Sequence, residues 1–192
     1  MLTDKTLSAP ECSRRVTILG STGSVGCDTI GVLQASSQSY KIRAITANEN
    51  VELLAKQALE LCPDFVVIGN QNKYVKLKQL LSGSKIRVAA GPDAIIEAAT
   101  LPTDWTMAAI VGSAGLRPVL ASIGHGGIVA IANKECLVCG GDLLSAEAER
   151  SGARLLPVDS EHNGVFQIFD FDNPETVEKI FLTASGGPFL KF

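Results

Sequence analysis

Residues 15–26 read RVTILGSTGSVG. Val16, Ile18 and Leu19 form a short apolar strand, and residues 28–34, DTIGVLQ, suit a helix. Between them Gly20, Gly23 and Gly26 fall in the spacing G-x-x-G-x-x-G. A helix that starts just after a strand presents unpaired amides, and such amides hold phosphate well. Gly20 permits the tight turn, Gly23 lets a pyrophosphate approach the backbone, and Gly26 lets the helix lie close to the sheet. Ser21, Thr22 and Ser24 offer hydroxyl donors. A plain strand-to-helix turn can use the same residues. The intact strand–helix–strand unit around this one favours a dinucleotide. No Gly-Lys-Ser/Thr closes the loop, so it is not a nucleotide-triphosphate P-loop.

Outward from this turn, strands and helices alternate. Strand-like runs lie at 41–47, 65–69, 85–91, 107–112, 128–133 and 155–159. Helix-like runs lie at 50–62, 73–81, 94–100, 116–126 and 135–152. Pro63 ends the second helix. Short connections between alternating elements specify an α/β fold: a doubly wound, mostly parallel Rossmann-like sheet covered on both faces. The weakest boundary falls near Ser151 and Gly152. We therefore expect a dinucleotide-binding domain over 1–150 and the start of a second, catalytic α+β domain over 151–192. Residues 170–192 read as a turn, a short helix or strand, a further strand and a glycine loop.

Composition narrows the class. The 192 residues are 46% hydrophobic with a formal net charge of −3, and the pI is near 5.4. A general nucleic-acid binder is normally basic. No run of about 18 apolar residues suggests a membrane span, and no signal-like apolar stretch opens the chain. The reading is a soluble cytoplasmic protein. Five cysteines, an odd number, fit reduced thiols. Cys136 and Cys139 form a lone C-x-x-C, read as two small buried residues.

Polar residues gather where the strands end. The second strand ends in Ala47-Asn48-Glu49-Asn50. An acid here accepts from a free ribose 2′-hydroxyl, so Glu49 alone points to NAD; it also suits a helix amino terminus. Asn133-Lys134-Glu135 sets an ammonium between an amide and a carboxylate. Residues 156–167, LPVDSEHNGVFQ, bring Asp159, Ser160, Glu161, His162 and Asn163 together. Two carboxylates at i and i+2 can converge on one hard cation, Mg²⁺ or Mn²⁺. Asp159 as a helix cap explains the same pattern. Ser185 sits in a glycine loop, His125 reads as a helix-end residue, and Trp105 as core.

The motifs GSTGSVG, IVGSAGL, ANKE, LPVDSEHNGVFQ and LTASGGPF occur in order, and with them the chain resembles the 1-deoxy-D-xylulose 5-phosphate reductoisomerase family from about Arg14 onward. The resemblance implies NADPH as cofactor, with Gly20, Thr22, Gly23, Ser24, Val25 and Gly26 around its pyrophosphate, and with Asn50, Asn133 and Glu135 also contacting it. It implies Asp159 and Glu161 as metal ligands and Lys134 and Glu161 as catalytic residues. Lys134, Ser160, Glu161 and Ser185 would bind a phosphorylated sugar, and the protein would be a homodimer. His162 carries no transferable ligand role and is read as supporting its loop.

Two departures matter. Many family members have Ala-Gly-Lys/Arg-Asn where this chain has Ala47-Asn48-Glu49-Asn50, so the basic partner of the 2′-phosphate is replaced; the expectation is still NADPH. The family also continues past the equivalent of Phe192, through a mobile loop and a third metal-binding carboxylate. The 192 residues are therefore expected to be a fragment with little or no turnover. The alternatives are a stand-alone dinucleotide-binding module, and a metal-independent NAD(P) dehydrogenase with Lys134 as proton donor.

Overall fold

Phe65–Ile68 and Ile128–Ile131 are apolar without a polar alternate, the pattern of strands covered on both faces. The computed structural model describes residues 13–36 and 40–183. Its strands are β1 (Arg14–Leu19), β2 (Tyr40–Ala47), β3 (Phe65–Ile68), β4 (Arg87–Ala90), β5 (Trp105–Ala108), β6 (Ile128–Ile131) and β7 (Arg154–Pro157). They form one seven-stranded sheet in the order β4-β3-β2-β1-β5-β6-β7. Every neighbouring pair is parallel. β7 is the edge strand of this same sheet, paired to β6.

The helices are α1 (Ser24–Ala35), α2 (Val51–Leu61), α3 (Tyr74–Leu80), α4 (Pro92–Ala99), α5 (Leu116–Ile123), α6 (Lys134–Ser151) and α7 (Ser160–Ile168). Side chains alternate across each strand. Val66 and Ile68 of β3 join Ile30 and Leu33 of α1, Leu54 of α2 and Leu77 of α3. Phe65 and Val67 point the other way and meet Ala98 of α4. On that second face Val119 and Ile123 of α5 and Leu144 of α6 pack on Val129 and Ile131 of β6. Thus α1–α3 cover one face and α4–α6 the other. The change of face comes at α4, which carries the chain from β4 back past β1 to β5. The crevice between the ends of β1 and β5 is the topological switch point, where open α/β sheets bind ligands.

α1 shows packing overriding propensity. Gly26 and Gly31 lie inside it, each costing about 1 kcal/mol relative to alanine. Burial of Ile30 and Leu33 contributes about 1.5–3 kcal/mol apiece and outweighs that cost. The two glycines differ in surroundings. A Cβ on Gly26 would lie 2.3 Å from the Gly20 carbonyl oxygen and 2.6 Å from Ser21 Cα, whereas one on Gly31 would meet nothing within 4 Å.

Three expectations are corrected. The strand read at 107–112 is Trp105–Ala108; Ile110 and Val111 leave the sheet and are apolar because they wall a cleft. No strand follows Pro174–Thr176 among the described residues, where Ile180, Phe181 and Leu182 are exposed. Cys136 is buried but Cys139 is exposed on α6. Burial raises the Cys136 thiol pKa, with a smaller contribution from Glu135. Trp105 starts β5 half-buried against the main cluster. His125 follows the end of α5, as a helix-end residue would.

Gly26→Ala is expected to lower stability by about 1–3 kcal/mol through overpacking. Gly31→Ala is expected to raise it by about 0.5–1 kcal/mol. Thermal or urea unfolding of both variants checks the pair, and a stable Gly26→Ala protein would contradict the packing described.

Candidate cofactor and metal site

The turn after β1 is seated on β2. The Gly20 N–H donates to the Thr46 carbonyl at 3.1 Å and to Thr46 Oγ1 at 3.0 Å, and the Ser21 N–H donates to the same carbonyl at 2.7 Å. Gly20 has φ +87°, and a Cβ there would stand 2.6 Å from the Ala109 carbonyl oxygen, so only glycine fits this turn. Ser21 was offered above as a ligand donor, and the structure corrects this. Its hydroxyl is buried and donates to Gln57 Oε1 at 2.8 Å, while Gln57 Nε2 donates back to the Ser21 carbonyl at 2.9 Å. Ser21 fastens the turn to α2. Thr22 is half-buried and Ser24 is exposed. The Val25 side chain packs against the core, which leaves its N–H as its contribution to the helix end.

The amino terminus of α1 is open. Gly23 caps it without a side chain, and no acidic residue lies in the first turn. The Cys27 N–H bonds to the Gly23 carbonyl at 2.8 Å. The Gly23 N–H turns back onto the Gly20 carbonyl at 3.2 Å, so the amides of Ser24, Val25 and Gly26 face outward with the positive end of the helix dipole. A cleft of about 410 Å³ runs from this point between the ends of β1, β2, β3 and β5. Gly20, Thr22 and Gly23 line one side, Ala47, Asn48 and Gly69 the next, and Ile110 and Val111 the other. Ile95 and Ile96 of α4 and Arg117 of α5 complete it, and the sequence reading missed all three. Their signal is positional: each lies on a helix that starts just past a strand end. Gly69 was also missed, although a glycine closing a strand hints at close packing. A Cβ there would come 2.5 Å from Asn48 Oδ1.

Asn50 caps α2, its Oδ1 accepting from the Leu53 N–H at 3.1 Å. Beside it, hydrogen bonds from Asn70 and Lys73 hold the Glu49 carboxyl below its usual pKa. Asn133 caps α6 and is buried. Its amide nitrogen donates to the Ile110 carbonyl at 2.6 Å and the Gly112 carbonyl at 2.7 Å, and its oxygen accepts from the Glu135 N–H at 2.9 Å. Asn133 thus ties the end of β6 to the cleft wall and fixes where α6 begins. Lys134 and Glu135 are exposed in the first turn of α6.

Asp159 caps α7. Its Oδ1 accepts from the His162 N–H at 3.2 Å, and the His162 ring Nδ1 lies 2.7 and 2.8 Å from its two oxygens. Burial works to raise the Asp159 pKa. The His162 main-chain and ring hydrogen bonds, with the charges of His162 and Lys134, outweigh burial and lower it. The Glu161 pKa is lowered mainly by a backbone hydrogen bond and by Ser160, whose hydroxyl lies 3.1 Å from Glu161 Oε2, with Lys134 adding to the effect. One ammonium at the end of β6 therefore acts on both carboxylates at the end of β7. The cap and the acid pair are one structure. Among the described residues no group of three metal-ligating side chains forms. Asp159 and Glu161 fit part of the oxygen shell of a hard cation, which takes about six ligands. Ser185 lies outside the described residues.

Fold and cleft define a Rossmann-like α/β domain with a phosphate-type helix terminus at its switch point. The family model of 1-deoxy-D-xylulose 5-phosphate reductoisomerase matches residues 16–141, and that of the family's C-terminal domain matches 155–192. The chain belongs to the 1-deoxy-D-xylulose 5-phosphate reductoisomerase family. A reductoisomerase from Rhodospirillum centenum is 54% identical over 176 residues, covering 92% of this chain and 44% of that protein. One from Bradyrhizobium diazoefficiens is 48% identical over 182 residues, covering 95% and 45%. The Zymomonas mobilis enzyme in complex with NADPH superposes with TM-score 0.89 at 47% identity, covering 93% of this chain and 47% of that one. A reductoisomerase in complex with NADPH, fosmidomycin and magnesium superposes with TM-score 0.79 at 35% identity, covering 84% and 40%. The chain spans a little under half the length of these relatives.

A Cβ on Gly23 would meet only the Gly20 carbonyl oxygen, at an ordinary 3.5 Å. Gly23→Ala is therefore expected to keep the melting temperature within about 2 °C. Its methyl intrudes on the pyrophosphate approach and should weaken dinucleotide binding about tenfold, or ~1.4 kcal/mol. Calorimetric titration beside thermal melting checks both halves.

Proposed function

We propose that this chain supplies the NADPH-binding half, and the first metal and substrate ligands, of a reductoisomerase. The reaction rearranges and reduces 1-deoxy-D-xylulose 5-phosphate to 2-C-methyl-D-erythritol 4-phosphate, a step towards isoprenoids. The observation that carries the proposal is the common edge: the open end of α1, Lys134 and the pair Asp159 and Glu161 all lie at the carboxyl ends of one parallel sheet. When bound, NADPH supplies the hydride, and Mg²⁺ or Mn²⁺ polarises the substrate oxygens.

The chain's own residues do the rest. The amides of Thr22, Ser24, Val25 and Gly26 receive the pyrophosphate, and the walls at Ile95, Ile96 and Ile110 exclude water around the cofactor. Lys134 steadies the oxygen on which negative charge develops. Asp159 and Glu161 hold the cation, with His162 fixing the Asp159 carboxylate and Ser160 beside Glu161. The remaining metal and phosphate ligands would come from sequence beyond this sheet. Two features support a further domain beginning here: residues 155–192 match the C-terminal family model, and Phe166, Phe171 and Phe181 stand exposed. The division near 150, the homodimer and a cytoplasmic location belong to the same proposal.

The test is an NADPH-oxidation assay with 1-deoxy-D-xylulose 5-phosphate, on a protein of the relatives' full length carrying this sequence. Turnover is expected to need Mg²⁺ or Mn²⁺, and Asp159→Asn is expected to cost about a hundredfold or more. The 192-residue chain alone is expected to bind NADPH with little turnover. Full activity in the presence of chelator would overturn the metal reading in favour of a simple dehydrogenase.

A further inference from the structure

At the end of β2 the chain meets a conflict of charge. In a doubly wound sheet this point faces the adenosine ribose of a bound dinucleotide. A carboxylate there accepts from a 2′-hydroxyl and repels a 2′-phosphate. Glu49 occupies the position, two residues past β2 and next to the α2 cap.

Its carboxylate is not left to the ribose. Asn70 Nδ2 donates to both oxygens, at 3.0 and 3.1 Å. The Lys73 ammonium donates to the Glu49 carbonyl oxygen at 2.7 Å and lies 3.1 Å from Glu49 Oε2. The local backbone sets both partners. Asn70 follows β3 and caps the 3₁₀ turn Gln71–Lys73, its Oδ1 accepting from the Asn72 N–H at 3.0 Å. The Asn70 N–H donates to the Asn48 carbonyl and the Lys73 N–H to the Asn70 carbonyl, each at 3.0 Å. Backbone pairing of the two strand ends thus brings Lys73 onto Glu49.

An ammonium has three N–H donors. Two of those on Lys73 are directed at Glu49, which leaves one, and the side chain is 36% exposed. Lys76, the next lysine along, is paired with Glu52 on the first turn of α2. Among the described residues, Lys73 is thus the cation beside Glu49 with a donor to spare, reached from β3 rather than from the loop after β2.

We propose that Lys73 selects the 2′-phosphate of NADPH in this chain, meeting the phosphate with its remaining N–H while Asn70 holds the Glu49 carboxylate aside. Lys73 is a specificity residue here, and it supplies from the third strand the positive charge that the loop after the second strand lacks. The inference rests on the reading of the cleft as a dinucleotide site.

The experiment measures dissociation constants for NADPH and NADH by nicotinamide fluorescence, for the parent chain and for Lys73→Gln, Glu49→Gln and the double variant. Lys73→Gln is expected to weaken NADPH about tenfold or more, the loss of one charge-assisted hydrogen bond to phosphate, and to leave NADH within about twofold. Glu49→Gln is expected to tighten NADPH. The double variant is expected to stay as weak for NADPH relative to Glu49→Gln as Lys73→Gln is relative to the parent. Lys78→Gln, with the same charge change on the exposed side of α3, is expected to leave both constants unchanged. An unchanged NADPH-to-NADH ratio in Lys73→Gln overturns the proposal. So does a double variant that binds NADPH as tightly as Glu49→Gln, because Lys73 would then serve only to neutralise Glu49. A parent chain that binds neither dinucleotide overturns instead the reading of the cleft itself.

Discussion

Seven strands running in one direction leave all their carboxyl ends along one edge, and the rest of the molecule follows from that. A parallel strand cannot be joined to its neighbour by a hairpin, so each strand is followed by a helix that begins at this edge. Helix amino termini therefore collect there, and so do the polar residues that cap them. Gly23, Asn50, Asn133 and Asp159 cap α1, α2, α6 and α7 in turn. Three of these caps bond to their helix through a side chain. The fourth, at Gly23, does not, and it opens on the cleft.

Two close contacts keep the edge in shape. The turn after β1 is pressed against Ala109 on one side and Gly26 on the other, with space for glycine only. Asn133 spends its side chain on the Ile110 and Gly112 carbonyls and on the start of α6. Gly115 lets this clamp close, since a Cβ there would stand 2.6 Å from the Ile110 carbonyl oxygen and 2.8 Å from Asn133 Nδ2. The same contact that walls the cleft aims Lys134. Placement of the ammonium and placement of the cofactor wall are therefore one constraint.

The fold was legible because its signals are local. Apolar runs of strand length, Pro63 as a stop and the glycine turn each report on a few neighbouring residues, and the parallel sheet follows from their alternation. Strand order was not legible, because nothing in the chain before β5 states that it returns beside β1. Local reading failed where residues serve a distant partner. Ser21 resembles a ligand donor but is bonded to Gln57, 36 positions away. Ile110 and Val111 resemble a strand because a cleft wall is as apolar as a core. Asp159 reads from sequence either as a helix cap or as one of two carboxylates converging on a cation, and the structure makes it the cap of α7 with Glu161 in the first turn. Arg117 and Ile95 carry no motif, and only the crossing of α4 and α5 beside the switch point brings them to the cleft.

The central claim is that the crevice across the ends of β1, β2, β3 and β5 takes the dinucleotide. The most direct measurement is a titration of the ¹⁵N-labelled chain with NADPH, followed by amide chemical shifts. The account predicts that the amides of Thr22 to Gly26, Asn48 to Asn50 and Asn133 to Glu135 move together and saturate at one ligand per chain. A second cavity of about 780 Å³ lies on the other face, beside Val32, Leu33 and Tyr40. Shifts confined to that cavity, with the glycine turn unmoved, would contradict the account.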